Sequence, residues 1–184
     1  MEDVKQRLTQ AHPISDELWE AVLPTLQTHT YQKGEFILKA GEVCHHMYFL
    51  RKGLVRMYYL KDGEEHIRQF FFENGLTSDL VSGLMGRPSR LHFDAIEASE
   101  LVSIPIEMMH RFPIFKEKAL LGTLYHVSNR MASIFLDTPE EKYRQLVAER
   151  PKVIQRIPQY MVASYVGVTP EGLSRIKRRI SQGE

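Results

Sequence analysis

The sequence predicts an α+β protein, an antiparallel β-roll followed by a long helix and then a helix-turn-helix, and three observations predict it. Short apolar runs punctuated by glycine extend from Tyr31 through the run ELVSI at 100–104. A stripe of Leu120, Leu124, Val127, Met131 and Ile134 follows, with helical spacings of 4, 3, 4 and 3 residues. Finally, Met161 to Arg179 reads MVASYVGVTPEGLSRIKRR, which places small and apolar residues where two helices joined by a tight turn need them.

Taken in order, the first element is a short leading helix. Ser15 stands as its N-cap, Asp16 and Glu17 occupy the first turn, and Ile14 is placed to staple onto Trp19. The strand region contains KGEFIL, AGE, HHMYFLRKG, LVRMYYLKDG, EEHIRQFFFENG and, later, HFDAIEA and ELVSI. Val55, Met57 and Tyr59 alternate with Arg56 and Tyr58, and Asp62-Gly63 supplies a hairpin turn between two runs. Short strands at roughly 8 to 12 residue spacing describe a barrel or roll. Tyr48, Tyr58, Tyr59, Phe70, Phe71 and Phe72 have the chemistry to line a pocket, but at alternating strand positions aromatic residues are expected to be core.

After Pro113 the period becomes helical. Polar Tyr125, His126, Ser128, Asn129 and Arg130 separate the stripe residues, as on a coiled-coil helix, while Leu121 and Phe135 widen the apolar surface beyond one seam. One face is therefore expected to meet the roll and another a second copy of the chain, making Leu120, Leu124, Val127, Met131 and Ile134 the homodimer interface. Thr138 caps and Pro139 starts a further helix running through Ala148, and Arg150-Pro151 breaks it as a hinge. The expected domains are 1–136, with the dimer helix at about 113–136, and 137–184.

In the last segment Val162, Ala163 and Val166 form the inward face of a first helix, Gly167 allows a left-handed turn, and Thr169 caps a second helix begun by Pro170. Leu173 and Ile176 face inward; Glu171, Ser174, Arg175, Lys177 and Arg178 face outward. Such a face suits a polyanion. Charge supports this: from Lys142 onward nine Lys or Arg oppose three Glu, a net of +6, leaving the preceding body at −5 although the whole chain is only +1.

Other classes fit less well. Cys44 is the only cysteine, which excludes an intrachain disulfide, a four-cysteine cluster and a cysteine-pair zinc site. His45-His46 is the only local histidine pair, and adjacent strand residues point to opposite faces, so no metal site and no cofactor are expected. No nucleophile-elbow, phosphate-loop, zinc-helix or dinucleotide motif occurs, which argues against an enzyme. A charged start and the lack of a long apolar run point to a cytoplasmic protein that does not engage a membrane.

The pieces Lys33-Gly34-Glu35-Phe36-Ile37-Leu38, Ala40-Gly41-Glu42, Tyr48 with Gly53, Asp62-Gly63 and GVTPEGLSR at 167–175, in this order over nearly the whole chain, resemble the bacterial Crp/Fnr transcription factors. The resemblance implies a cyclic-nucleotide-binding-type roll, a dimer helix, a last helix in the major groove of double-stranded DNA with an inverted repeat, and contact with RNA polymerase. Family recognition helices commonly read Arg-Glu-Thr with an Arg four residues after the Glu. Here Pro170 and Gly172 replace the outer two, while Glu171 and Arg175 remain.

Glu accepts from cytosine N4 and Arg binds guanine O6 and N7, so these two are the expected base readers, with Arg178 and Arg179 on phosphates and Thr169 and Ser174 on the same surface. The simpler alternative for Glu171 is compensation of the helix dipole. The β-hairpin wing usual after the recognition helix is not expected, because Glu184 follows so soon.

Family members that bind cyclic AMP carry Gly-Glu and later Arg-Ser in the pocket. Ser78-Asp79 and Ser89-Arg90 fall at these places, leaving Asp79 one methylene short and Arg90 one position late, with Arg87 as a substitute. Cyclic AMP is therefore not the expected effector, and the effector is either another small molecule or absent. The alternative function is a ligand-binding or protein-interaction domain that has lost sequence-specific DNA recognition, suggested by Pro170, Gly172 and the missing wing.

Overall fold

A computed structural model of the chain describes residues 1–11, 14–149, 151 and 154–182; the expected hinge residue Arg150 lies outside them. Helix α1, Glu2–Ala11, precedes the helix expected from Ser15, and its apolar contribution is the buried pair Val4 and Leu8, one turn apart. Helix α2, Asp16–Val22, starts as expected: the Ser15 hydroxyl accepts from the Leu18 amide at 3.2 Å. A 3₁₀ turn at Leu23–Thr25 then leads into β1, Gln27–Tyr31, which begins four residues before the first glycine-punctuated run.

The remaining strands are β2 (Phe36–Leu38), β3 (His46–Lys52), β4 (Leu54–Lys61), β5 (Glu64–Phe72), β6 (Gly75–Thr77), β7 (His92–Ala95) and β8 (Ser99–Pro105), with helix α3, Leu80–Met85, between β6 and β7. They form two four-stranded sheets ordered β1-β8-β3-β6 and β2-β7-β4-β5. In the first sheet β8 is antiparallel to both neighbours, pairing Leu101 with His29 on one side and Leu50 on the other. At the β4–β5 turn Asp62 and Gly63 both have positive φ, 53° and 82°, the combination a two-residue hairpin requires.

The chain divides into two units, 1–57 with 70–125, and 58–69 with the chain from His126 onward. In the first unit, both parities of β3 are buried because each face has a cover. Tyr48 meets Phe93 of β7 edge to face at 5.9 Å, whereas Ile104, the register partner of Met47, lines a small apolar cavity with Leu8, Leu18, Trp19 and Met108. The alternation expected in β4 is likewise absent as an inside–outside pattern, since Leu54 through Tyr58 are all buried. Arg56 is accommodated there by a bidentate pair with Asp94 of β7, at 2.8 and 3.0 Å. Arg56 is buried in the strand because a partner 38 residues away in the chain neutralises it.

A short helix α4, Met108–Arg111, precedes α5, Pro113–Leu136, which has the bounds the period change and Pro113 suggest. In the second unit, α6 is Pro139–Glu149, α7 is Gln159–Val166 and α8 is Pro170–Gln182. Thr138 and Glu141 form a reciprocal cap on α6: the Thr138 amide donates to the Glu141 carboxylate at 2.7 Å and the Glu141 amide to the Thr138 hydroxyl at 3.2 Å. None of the described helices is long and apolar enough to cross a membrane.

Candidate nucleic-acid interface and sensor cassette

The α7–turn–α8 element is built by local chemistry. Met161, Val162, Ala163 and Val166 of α7 and Leu173 and Ile176 of α8 are buried. Gly167 takes φ 86°, so its amide and that of Val168 both reach the Ala163 carbonyl, at 2.9 and 3.0 Å, which ends α7 and redirects the chain. Thr169 accepts from the Gly172 amide at 3.2 Å through its hydroxyl and from the Leu173 amide at 2.9 Å through its carbonyl, so α8 starts capped with Pro170 at its first position. Gly172 sits where a Cβ would press on the Val168 Cβ at 3.1 Å, which gives this helix-weakening residue a packing reason.

Two further contacts hold α7 within the same unit, and neither was singled out from sequence. The Ser164 hydroxyl donates to the Glu65 carbonyl at 2.6 Å and accepts from the Ile67 amide at 3.2 Å, joining α7 to the tip of the β4–β5 hairpin. Arg130 of α5 donates to the Tyr165 carbonyl at 2.8 Å with its guanidinium 4.0 Å from the Tyr165 ring centre. Only their residue types were legible, because the partners lie 35 to 99 residues apart.

The outer face of α8 exposes Glu171, Ser174, Arg175, Lys177, Arg178 and Arg179. Glu171, Arg175 and Arg178 fall at intervals of four and three residues and so share one stripe. The Glu171 carboxyl is held below its usual range by its own backbone amide, then by the Thr169 hydroxyl and by the Arg175 charge, so it also serves the helix start. Ser174 turns its hydroxyl to the Pro170 carbonyl at 3.0 Å. Lys177 bonds Gln159 at 2.9 Å, and Arg179 pairs with Glu140 of α6 at 2.9 Å. The expected surface is therefore present as a face, and within it Arg175 and Arg178 present their charge along the central stripe while Arg179 is turned aside.

In the other unit Ser78, Asp79, Ser89 and Arg90 separate by role. Asp79 caps α3, accepting from the Ser82 amide at 3.3 Å and from the Ser89 hydroxyl at 2.7 Å. Ser82 in turn accepts from the Cys44 amide at 3.0 Å and donates to the Arg87 carbonyl at 2.6 Å. Ser78 faces elsewhere, donating to the His46 carbonyl at 3.1 Å. Arg87 and Arg90 are exposed, whereas Ser82 and Ser89 are buried. The structure thus brings Asp79 and Ser89 together and places Arg90 in solvent. The Cys44 thiol is buried and pushed up in pKa by that burial, which keeps it protonated and unreactive. Burial also lowers the His46 pKa, and among the described residues no three His, Cys, Asp or Glu side chains converge as a metal site would need.

Together these features define a protein with a two-sheet β-roll, a long helix with an apolar face, and a capped helix-turn-helix. The cyclic nucleotide-binding domain family matches residues 28–112. FixK2 from Bradyrhizobium japonicum is 22% identical with a TM-score of 0.70, covering 86% of each chain. The sensor domain of the transcriptional regulator DNR from Pseudomonas aeruginosa is 24% identical with a TM-score of 0.56, covering 73% of this chain and 93% of its own. The catabolite activator protein of Thermus thermophilus is 18% identical with a TM-score of 0.58, covering 96% and 87%. No curated protein sequence matches the chain. Residues 28–112 are therefore similar to a cyclic nucleotide-binding domain, and the chain shares its fold with these structures and with a putative transcriptional regulator of the Crp/Fnr family from Eubacterium rectale, 18% identical with a TM-score of 0.68, covering 92% of this chain and 85% of that one.

Proposed function

We propose that this chain is a DNA-binding transcriptional regulator that acts as a homodimer, with 1–136 as sensor and dimer helix and 137–184 as the DNA-binding part. The observation that carries the proposal is α8 itself: capped by Thr169, anchored by Leu173 and Ile176, and exposing Arg175 and Arg178 on one stripe. Arg175 reads guanine, with Glu171 beside it, and Arg178 contacts phosphate. No step of this activity is enzymatic.

The dimer proposal is supported by α5, none of whose residues is buried and whose Leu121, Leu124, Met131, Ile134 and Phe135 are all more than half exposed. An apolar face of that extent on a 24-residue helix suits a second copy of the same helix. Regulation is through an unidentified small effector or is independent of one. The Asp79–Ser89 pair, together with the exposed Arg90, supports the expectation that cyclic AMP is not that effector, since a ring phosphate needs an inward guanidinium. Recruitment or exclusion of RNA polymerase is the expected outcome on a promoter.

Fluorescence-anisotropy binding to an inverted repeat selected from random DNA, and to its scrambled counterpart, tests the assignment across a salt series. Arg175→Ala should lose about 1–3 kcal/mol on the selected site with little change on scrambled DNA, and Arg178→Ala should weaken both alike with a shallower salt slope. Equal losses on both DNAs for Arg175→Ala would remove it as a base reader. A wild type without salt-dependent binding would remove the function.

A further inference from the structure

Glu140 joins two arginines, one on α6 and one on α8, that line the open groove between these helices. Its Oε1 accepts from Arg144 Nε and Nη2 at 3.2 and 2.9 Å, one turn along α6, and its Oε2 accepts from Arg179 Nη2 at 2.9 Å, across to α8. Arg144, Gly172, Arg175 and Arg179 all line this groove. The ordinary explanation for an acid in a first turn is capping or dipole compensation. Here Glu141 already takes the cap with Thr138, while both oxygens of Glu140 are spent on guanidinium groups.

A carboxylate engaging guanidinium N–H donors in this way occupies what a phosphate would use. The two arginines are about half exposed, 49% and 55%, so the ion pairs are solvent-screened and yield readily to a competitor. Backbone phosphate is such a competitor, because its neutralisation also releases condensed counterions. Building on the DNA-binding assignment above, we infer that Arg144 belongs to the DNA-facing surface and that Glu140 is an internal competitor for DNA phosphate. It holds Arg144 and Arg179 in reserve and lowers affinity without changing sequence preference.

The test compares full-length wild type with Glu140→Gln, Glu140→Gln/Arg179→Ala and Arg179→Ala on the selected operator and on scrambled DNA across a salt series. Glu149→Gln, an exposed acid at the far end of α6, controls for net charge. Glu140→Gln is expected to tighten both DNAs by about two- to five-fold, the range set by a screened ion pair. The salt slope should steepen by up to about one contact, and the gain should shrink in the Arg179→Ala background. Unchanged or weaker binding by Glu140→Gln with native circular dichroism would overturn the inference, as would an equal gain from Glu149→Gln or an undiminished gain without Arg179. If the wild type shows no salt-dependent binding, the DNA-binding assignment fails and the competitor role fails with it.

Discussion

Arg56 and Asp94 form the most enclosed ion pair described in the molecule, with side chains 6% and 9% exposed and two parallel hydrogen bonds between adjacent strands of the second sheet. Desolvating both charges is costly, and the pair is tolerated because each neutralises the other. Asp94→Ala leaves a buried guanidinium without its principal counterion and should destabilise the protein by about 3–5 kcal/mol, read as a lower chemical-denaturation midpoint. Arg56→Met combined with Asp94→Leu should recover much of that loss. An Asp94→Ala variant as stable as wild type would show that the pair carries no weight. Arg175 and Arg179 illustrate the same physics at the surface, where a residue's neighbour decides whether its charge is presented or spent: the two lie one turn apart, and only Arg179 meets a carboxylate on another helix.

Helix α5 packs Phe115 and Ala119 against the core of the first unit and leaves Leu121, Leu124, Met131, Ile134 and Phe135 exposed. Leu124→Arg should place a charge in the seam of the proposed dimer and yield a single-chain mass by light scattering at moderate concentration. A wild type already of one-chain mass would contradict the assembly.

Helix α1, docked by buried Val4 and Leu8, is also tied by charge. Arg51 donates to Asp3 at 2.6 and 3.1 Å and to Glu100 at 2.8 Å, and its guanidinium holds the Asp3 carboxyl well below the ordinary carboxylate range. A lowered native pKa means the stabilisation is present above the ordinary value of about 4 and is lost as pH falls below it. Asp3 is 39% exposed, so the contribution is about 0.2–1 kcal/mol. Trp19, the only tryptophan, lines the same cavity as Leu8 of α1 and reports on its docking. Its fluorescence should change on acidification between pH 5 and 2, and Asp3→Asn should flatten that response. An identical acid response in both proteins would contradict it.

For the whole molecule, elements with local causes were legible in the sequence and those with distant causes were not. The bounds of α5, the Thr138 cap, the Asp62-Gly63 turn and the Gly167–Thr169–Pro170 corner each depend on residues within a few positions of one another. Helix α1 offers only Val4 and Leu8 as an apolar signal, and Leu54 through Tyr58 of β4 are buried without a break, which no local alternation encodes. The candidate site follows the same division. Its residue types and their face on α8 were readable, but the diversion of Arg179 to Glu140, of Lys177 to Gln159 and of Asp79 to Ser89 depends on partners 10 to 39 positions away.

As a dimer, two copies should present two α8 helices to successive major grooves, roughly 34 Å apart. The most direct test is binding stoichiometry and affinity on the selected inverted repeat, on one half-site, and on the repeat with five base pairs inserted at its centre, which turns one half-site to the opposite side of the duplex. Two chains should bind each intact repeat, with much weaker binding to the single half-site and a similar loss on the lengthened repeat. Equal affinity for all three DNAs, or one chain bound to the intact repeat, would contradict this arrangement.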